Sequence, residues 1–168
     1  CATGARLHGR RDQPGYELIH LETGLTEQER QVWYHLPEGS EVLPLSLFDT
    51  LKDRRTGKAV IEILDRFGFL PDPENKEGLP VGFAAHVRSE FGARITGVGI
   101  NCAACHTGQI EYGGKRIRME GAPNLVDFEA FVLDVEASFK HVLRHPVQLC
   151  RLIRDTIRTR HTDPVEIP

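Results

Sequence analysis

The chain of 168 residues has little of what would mark several protein classes. No uncharged apolar run approaches the roughly 18 residues that a membrane-spanning helix needs. The longest uncharged stretch, residues 95–110, contains one histidine and five glycines or threonines. Four cysteines make no disulfide scaffold, and a chain of this length buries enough surface to fold without one. Charge of one sign is also missing: 21 Lys and Arg against 24 Asp and Glu leave a net charge of −3, which argues against a general nucleic-acid binder. There are no internal repeats or low-complexity segments, which excludes solenoid and fibrous architectures. The remainder, 40% apolar with 16 glycines and 10 prolines, is the composition of one globular domain.

Two of the four cysteines lie in Asn101-Cys102-Ala103-Ala104-Cys105-His106. The pattern C-x-x-C-H is the attachment signature of c-type haem. On a helical turn, residues three and four positions after Cys102 share its face, so Cys102, Cys105 and His106 project together. Two thiols can then form thioethers with the haem vinyl groups while the imidazole reaches iron, and the small Ala103 and Ala104 keep the turn narrow. A zinc site would need further soft ligands at finger-like spacing, where only distant Cys150 and scattered histidines are available. A redox dithiol would need a βαβ frame, against mostly helical patterning. One covalent haem c is the expected cofactor, held by Cys102, Cys105 and His106.

The group opposite His106 decides the chemistry of such an iron. Met119, the single methionine, lies thirteen residues beyond His106. A hairpin around Gly113-Gly114 would pair it with about Gly108, near the proximal segment, although axial ligands sit on opposite haem faces. His141 and His86, then His145 and His35, are the histidine candidates, and an open position is the third possibility. Arg94, Arg116 and Arg118 are candidates for the haem propionates, because guanidinium forks fit carboxylates. Arg151, Arg154 and Arg158, with Arg144 upstream, form a stripe that is either a solvated face or a dock for an acidic partner or anionic lipid. Trp33, Tyr34 and Tyr112 are core residues or lie near the haem.

Numbering begins at Cys1, where a bacterial lipoprotein begins once its signal peptide is removed. Lipidation there would anchor the domain to a membrane. An arbitrary start, or a Cys1–Cys150 disulfide, is the competing reading. Residues 1–20 read as a tether and 21–168 as a single haem domain. Within it, Thr26-Glu27-Gln28-Glu29 is a capping box for a helix to about His35. Residues 43–51 read as a short helix with a packed loop, and 58–67 as a helical stripe stopped by Gly68. Residues 82–91 read as a short helix, after which Gly97 and Gly99 bring backbone close to the haem. Gly113-Gly114 marks a hairpin. Asn124 reads as the cap of the longest helix, with Leu125, Phe128, Phe131, Val132, Val135, Phe139 and Val142 on its apolar face. Pro146 opens a last helix. The expected fold class is mainly α, a cytochrome c-like helical domain around one covalent haem with a short β-hairpin after the motif.

Further segments carry a resemblance: Tyr34-His35-Leu36-Pro37-Glu38-Gly39-Ser40 with Leu43-Pro44-Leu45, Gly78-Leu79-Pro80-Val81-Gly82-Phe83, Gly99 to Gly108, and Gly121-Ala122-Pro123-Asn124. Over somewhat more than half its length the chain resembles the dihaem c-type proteins that include rubber oxygenases and bacterial cytochrome c peroxidases. The resemblance implies thioethers at Cys102 and Cys105 and a proximal His106. Those enzymes use two haems, whereas this chain has one C-x-x-C-H and looks like the first-haem half alone. The expected function is one-electron transfer by a lipid-anchored monohaem cytochrome on the periplasmic side of a bacterial membrane. It would serve as a subunit of a membrane redox complex with redox-protein partners and no nucleic acid. The alternative is a haem peroxidase or oxygenase domain with an open sixth iron position.

Overall fold

The computed structural model describes residues 17–41, 43–90 and 93–160, with backbone alone at 89, 90, 93, 94 and 157–160. In order these form β1 (Glu17–His20), α1 (Glu27–His35), β2 (Leu43–Pro44), α2 (Leu45–Thr50), a 3-10 helix (Val60–Phe67), β3 (Phe83–Glu90), β4 (Ala93–Ile100), a 3-10 turn (Cys102–Ala104), β5 (Thr107–Tyr112), β6 (Lys115–Glu120), α3 (Phe128–Arg144) and α4 (Pro146–Arg160). The strands make two three-stranded sheets, ordered β1-β6-β5 and β2-β4-β3. The architecture is mixed α/β, which corrects the expectation of a mainly α chain.

The correction has a local cause. The segment Phe83–Glu90, read as helical, contains alanine, arginine and glutamate, whose intrinsic preference is for helix. It nevertheless pairs antiparallel with β4 through eight residue pairs, from Phe83↔Ile100 to Glu90↔Ala93. The β-branched Ile95, Thr96, Val98 and Ile100 of β4 supply the pleated surface, and pairing overrides propensity. Gly97 and Gly99 also have a different purpose from the one expected. A Cβ on Gly97 would lie 2.5 Å from the Glu41 carbonyl oxygen, and one on Gly99 would lie 2.4 Å from the Ser40 carbonyl carbon. They admit the 40–41 segment rather than a cofactor. Glu17–His20, inside the stretch read as tether, forms a strand parallel to β6.

Other local signals form as read. Thr26 and Glu29 make the reciprocal capping box of α1, with Glu29 Oε2 accepting the Thr26 N–H at 2.8 Å. Gly113 and Gly114, at φ 59° and 76°, turn β5 into β6. Gly68, at φ 86°, ends the 3-10 helix. The cap of α3 is Asp127, whose side chain accepts the Ala130 N–H at 2.9 Å, rather than Asn124.

The core is a phenylalanine cluster: Phe69 meets Phe83 at 4.9 Å and Phe131 at 5.2 Å between ring centroids, with Phe67 and Phe48 behind. Phe131 and Val142 bring α3 into it, and Leu152 brings α4. Leu125, Phe128 and Val132, expected on the same buried face, are exposed. No helix among the described residues is long and apolar enough to cross a membrane.

Gly82 locks the strand layer to the motif. At φ +84°, a Cβ there would sit 2.2 Å from the Ala104 nitrogen. Gly82→Ala is expected to lose about 3 kcal/mol or more, combining left-handed strain with a backbone clash. Gly24→Ala, at φ +82° with nothing within 4 Å, should lose only about 1 kcal/mol. Urea unfolding of the two variants checks the contrast.

Candidate cofactor-attachment site

The C-x-x-C-H segment leaves β4 and turns at once. Asn101 caps the turn by accepting the Ala103 N–H on Oδ1 at 3.0 Å. Its Nδ2 donates into the carbonyls of Leu36 at 3.0 Å and of Trp33 and Tyr34 at 3.3 Å, which ties the turn to the end of α1. The Cys102 carbonyl accepts from Cys105 N–H at 3.2 Å and His106 N–H at 3.0 Å, closing a tight loop. On the exit side, the Asn124 N–H donates to the Cys105 carbonyl at 2.9 Å, and its Nδ2 donates to the carbonyls of Ala104 at 3.0 Å and Gly68 at 3.2 Å. Two asparagines therefore grip the turn from both ends.

That grip sorts the five motif residues. Ala103 and Ala104 are fully buried, Ala103 against Tyr34 and Val81 and Ala104 in the phenylalanine core. Cys102, Cys105 and His106 are all exposed, with both thiols free. Exposed apolar residues flank the turn along the backbone: Leu36, whose carbonyl is held by Asn101, and Leu125, 93% exposed beside Asn124. Two thiols and an imidazole facing outward beside uncovered apolar side chains fit a flat apolar group attached at the surface.

The electrostatics disfavour the dithiol alternative. Hydrogen bonding and the negative charge of Glu38 push the Cys102 thiol above its ordinary pKa, whereas a reactive redox cysteine needs the opposite shift. Among the described residues, no three His, Cys, Asp or Glu side chains are grouped to hold a metal ion directly. A porphyrin supplies four nitrogens itself, so a haem site does not need such a group.

The other candidates are scattered. Met119 pairs with Gly108, two residues past His106, and the Gly121 N–H donates to the His106 carbonyl at 2.7 Å. Its backbone is thus beside the proximal segment, as the hairpin register predicts. His35 is occupied at both ring nitrogens, by the Phe83 carbonyl at 2.7 Å and Asp72 at 2.8 Å. His86 is exposed on β3, three pairs from the Phe83↔Ile100 end and so roughly 10 Å along the ladder. The His141 ring lies 4.2 Å from that of His145 at a tilt of 41°, thirteen residues or about 20 Å along α3 from Phe128. His35 thus sits close to the turn, between the Tyr34 and Leu36 carbonyls held by Asn101, but both its ring nitrogens are engaged elsewhere.

Of the arginines, Arg116 pairs with Glu111 at 2.9 Å on the hairpin. Arg118 is buried, donating to the Pro71 carbonyl and to Gln109 at 2.9 Å, with Nη1 buried and without a hydrogen-bond partner. The Arg94 side chain, the Arg158 side chain and Cys1 lie outside what is described. Arg151 and Arg154 are exposed on α4, Arg154 beside Asp155. Cys150 is an exposed free thiol. Trp33 donates to the Thr107 hydroxyl at 3.1 Å, one residue from His106, and Tyr112 is exposed on the hairpin.

Two acidic groups that sequence reasoning passed over support the site from behind. Burial pushes the Glu120 carboxyl up, but hydrogen bonds from Tyr34 and His20 and the charge of Arg30 hold it below the usual carboxylate range. Burial, then the hydrogen bond to Glu120, drives the Tyr34 hydroxyl far above its ordinary value. Asp72 behaves like Glu120: burial raises its carboxyl, and the hydrogen bonds from His35 and the Glu74 backbone more than offset this. No spacing rule announces either acid, because its partners come from segments far away in the chain.

Comparison with known proteins adds little. The chain is similar to the uncharacterized protein y4iJ of Sinorhizobium fredii (strain NBRC 101917 / NGR234), 39% identical over 82 residues. The match covers 42% of this chain and 13% of that protein, so the chain spans a small part of the relative's length. No family model and no solved structure matches.

The His35–Asp72 pair gives a pH prediction. A carboxyl whose folded pKa is depressed adds stability above the unfolded value, lost as pH falls through the folded one. Acid should therefore weaken the wild type below about pH 4, through the carboxylate range. Asp72→Asn should cost about 1–3 kcal/mol at pH 7 and flatten that acid limb. Urea melts from pH 7 down to pH 3 check both.

Proposed function

We propose that this chain is a c-type haem domain whose role is one-electron transfer. The observation that carries the reading is the sorting of the motif: Cys102, Cys105 and His106 outward, Ala103 and Ala104 buried. Cys102 and Cys105 would hold the ring through thioethers, and His106 would bind iron. Haem, when bound, supplies a one-electron couple between ferric and ferrous iron. The protein's own part is to fix His106 through the Cys102 and Gly121 backbone bonds and to keep water from one side of the turn with Ala103, Ala104 and the core behind them. A periplasm-facing location and membership of a membrane redox complex belong to the same proposal.

A second reading has its own support. His35 is committed to Asp72 and Phe83, His86 lies three residue pairs up β3 from Phe83, and Met119 lies on the strand beside His106. That distribution favours an open sixth position, which suits peroxide or oxygen chemistry.

The test is expression of the chain with export and haem-attachment machinery. Covalent haem surviving denaturing electrophoresis is expected, lost in Cys102→Ala/Cys105→Ala; wild-type chain without haem overturns the proposal. Carbon monoxide then separates the readings. An unchanged reduced spectrum supports electron transfer, and avid binding supports the open iron.

A further inference from the structure

Glu38 is exposed, yet its carboxylate reaches into the motif: Oε2 accepts the backbone N–H of Cys102 at 3.1 Å. The loop that carries Glu38 is itself held. Buried Glu41 accepts the N–H of Glu38 at 3.1 Å and of Gly39 at 3.2 Å, and the Ser40 hydroxyl donates to the Ile100 carbonyl at 2.6 Å. This loop lies against β4 because Gly97 and Gly99 have no Cβ to keep it away. A helical turn of three residues leaves its first amides without internal acceptors. Asn101 takes the Ala103 N–H, and the Cys102 N–H would be left to water without Glu38.

We propose that Glu38 is a positioning residue for the C-x-x-C-H turn, anchored by Glu41 and holding Cys102 in the outward-facing arrangement that cofactor attachment requires. The purpose rests on the haem reading; the clamp itself does not. A carboxylate accepting a backbone N–H is a charge-assisted bond, stronger than a neutral one. Its removal frees the first residue of the turn while Asn101 and Asn124 still hold the rest. The neutral amide of glutamine keeps an acceptor oxygen at the same reach.

The test uses the full chain, expressed with attachment machinery, as wild type, E38A and E38Q. Two quantities are read: amide exchange at Cys102 and the fraction of chain carrying covalent haem. In E38A, exchange at Cys102 should quicken about tenfold and haem attachment should fall severalfold, with E38Q restoring both toward wild type. Should E38A fail to fold, Glu38→Asp, one methylene short of the amide, must exchange faster at Cys102 than E38Q. Unchanged exchange in E38A, or E38Q as defective as E38A, overturns the proposal. Haem absent from the wild type itself would instead refute the haem reading, while the exchange comparison still decides the role of Glu38.

Discussion

Gly82 leaves room for the Ala104 backbone where any side chain would have to lie, and the candidate site depends on that clearance. Because Gly82 has no side chain, the turn after β4 can press Ala103 and Ala104 into the protein interior. With those two positions inward, the geometry of a tight turn leaves Cys102, Cys105 and His106 outward. The asparagines at 101 and 124 then fix the backbone by bonding to carbonyls of α1, the motif and the end of the 3-10 helix. The site is thus a surface feature with a deep foundation: its reactive atoms are at the boundary and its supports lie in the core.

Polar groups behind the turn extend that foundation. Glu120 gathers Tyr34, His20 and Arg30, and Asp72 holds His35, so α1 is fastened to β6 and to the 71–72 segment by carboxylates with partners already in place. Buried acids held this way resist protonation, and their strength lies in satisfied hydrogen bonds rather than in charge alone. Arg118, buried beside them, adds bonds to the Pro71 carbonyl and to Gln109 and makes the interior polar close to the β5–β6 hairpin.

The outer face of α3 is of another kind. Its amphipathic pattern is real, but only part of the stripe is buried: Phe131 and Val142 enter the core with Val135 and Phe139 packed against it, while Phe128 and Val132 are exposed. A helix stripe is read from sequence by spacing, and spacing does not say how wide the opposing surface is. The chain also corresponds to a small portion of the relative it matches, and the electron-transfer and membrane roles are proposals for a domain rather than for such a longer protein.

Sequence by itself determined the elements whose signals are local. The Thr26–Glu29 box, the Gly113-Gly114 hairpin with its Gly108↔Met119 register, the stop at Gly68 and the helix opened by Pro146 need only neighbouring residues to form. The C-x-x-C-H spacing marks the turn whose Cys102, Cys105 and His106 are exposed. Tertiary structure decided what depends on distant partners. Phe83–Glu90 became a strand because β4 was there to pair with it, and Gly97 and Gly99 became clearance for the 40–41 loop. Asn124 became a clamp on the motif instead of a helix cap, His35 became the partner of Asp72, and Glu38 came to hold Cys102. Short-range hydrogen bonds and turn sterics are written in adjacent residues. Pairing, burial and the satisfaction of lone polar groups are settled only when segments far apart in the chain meet.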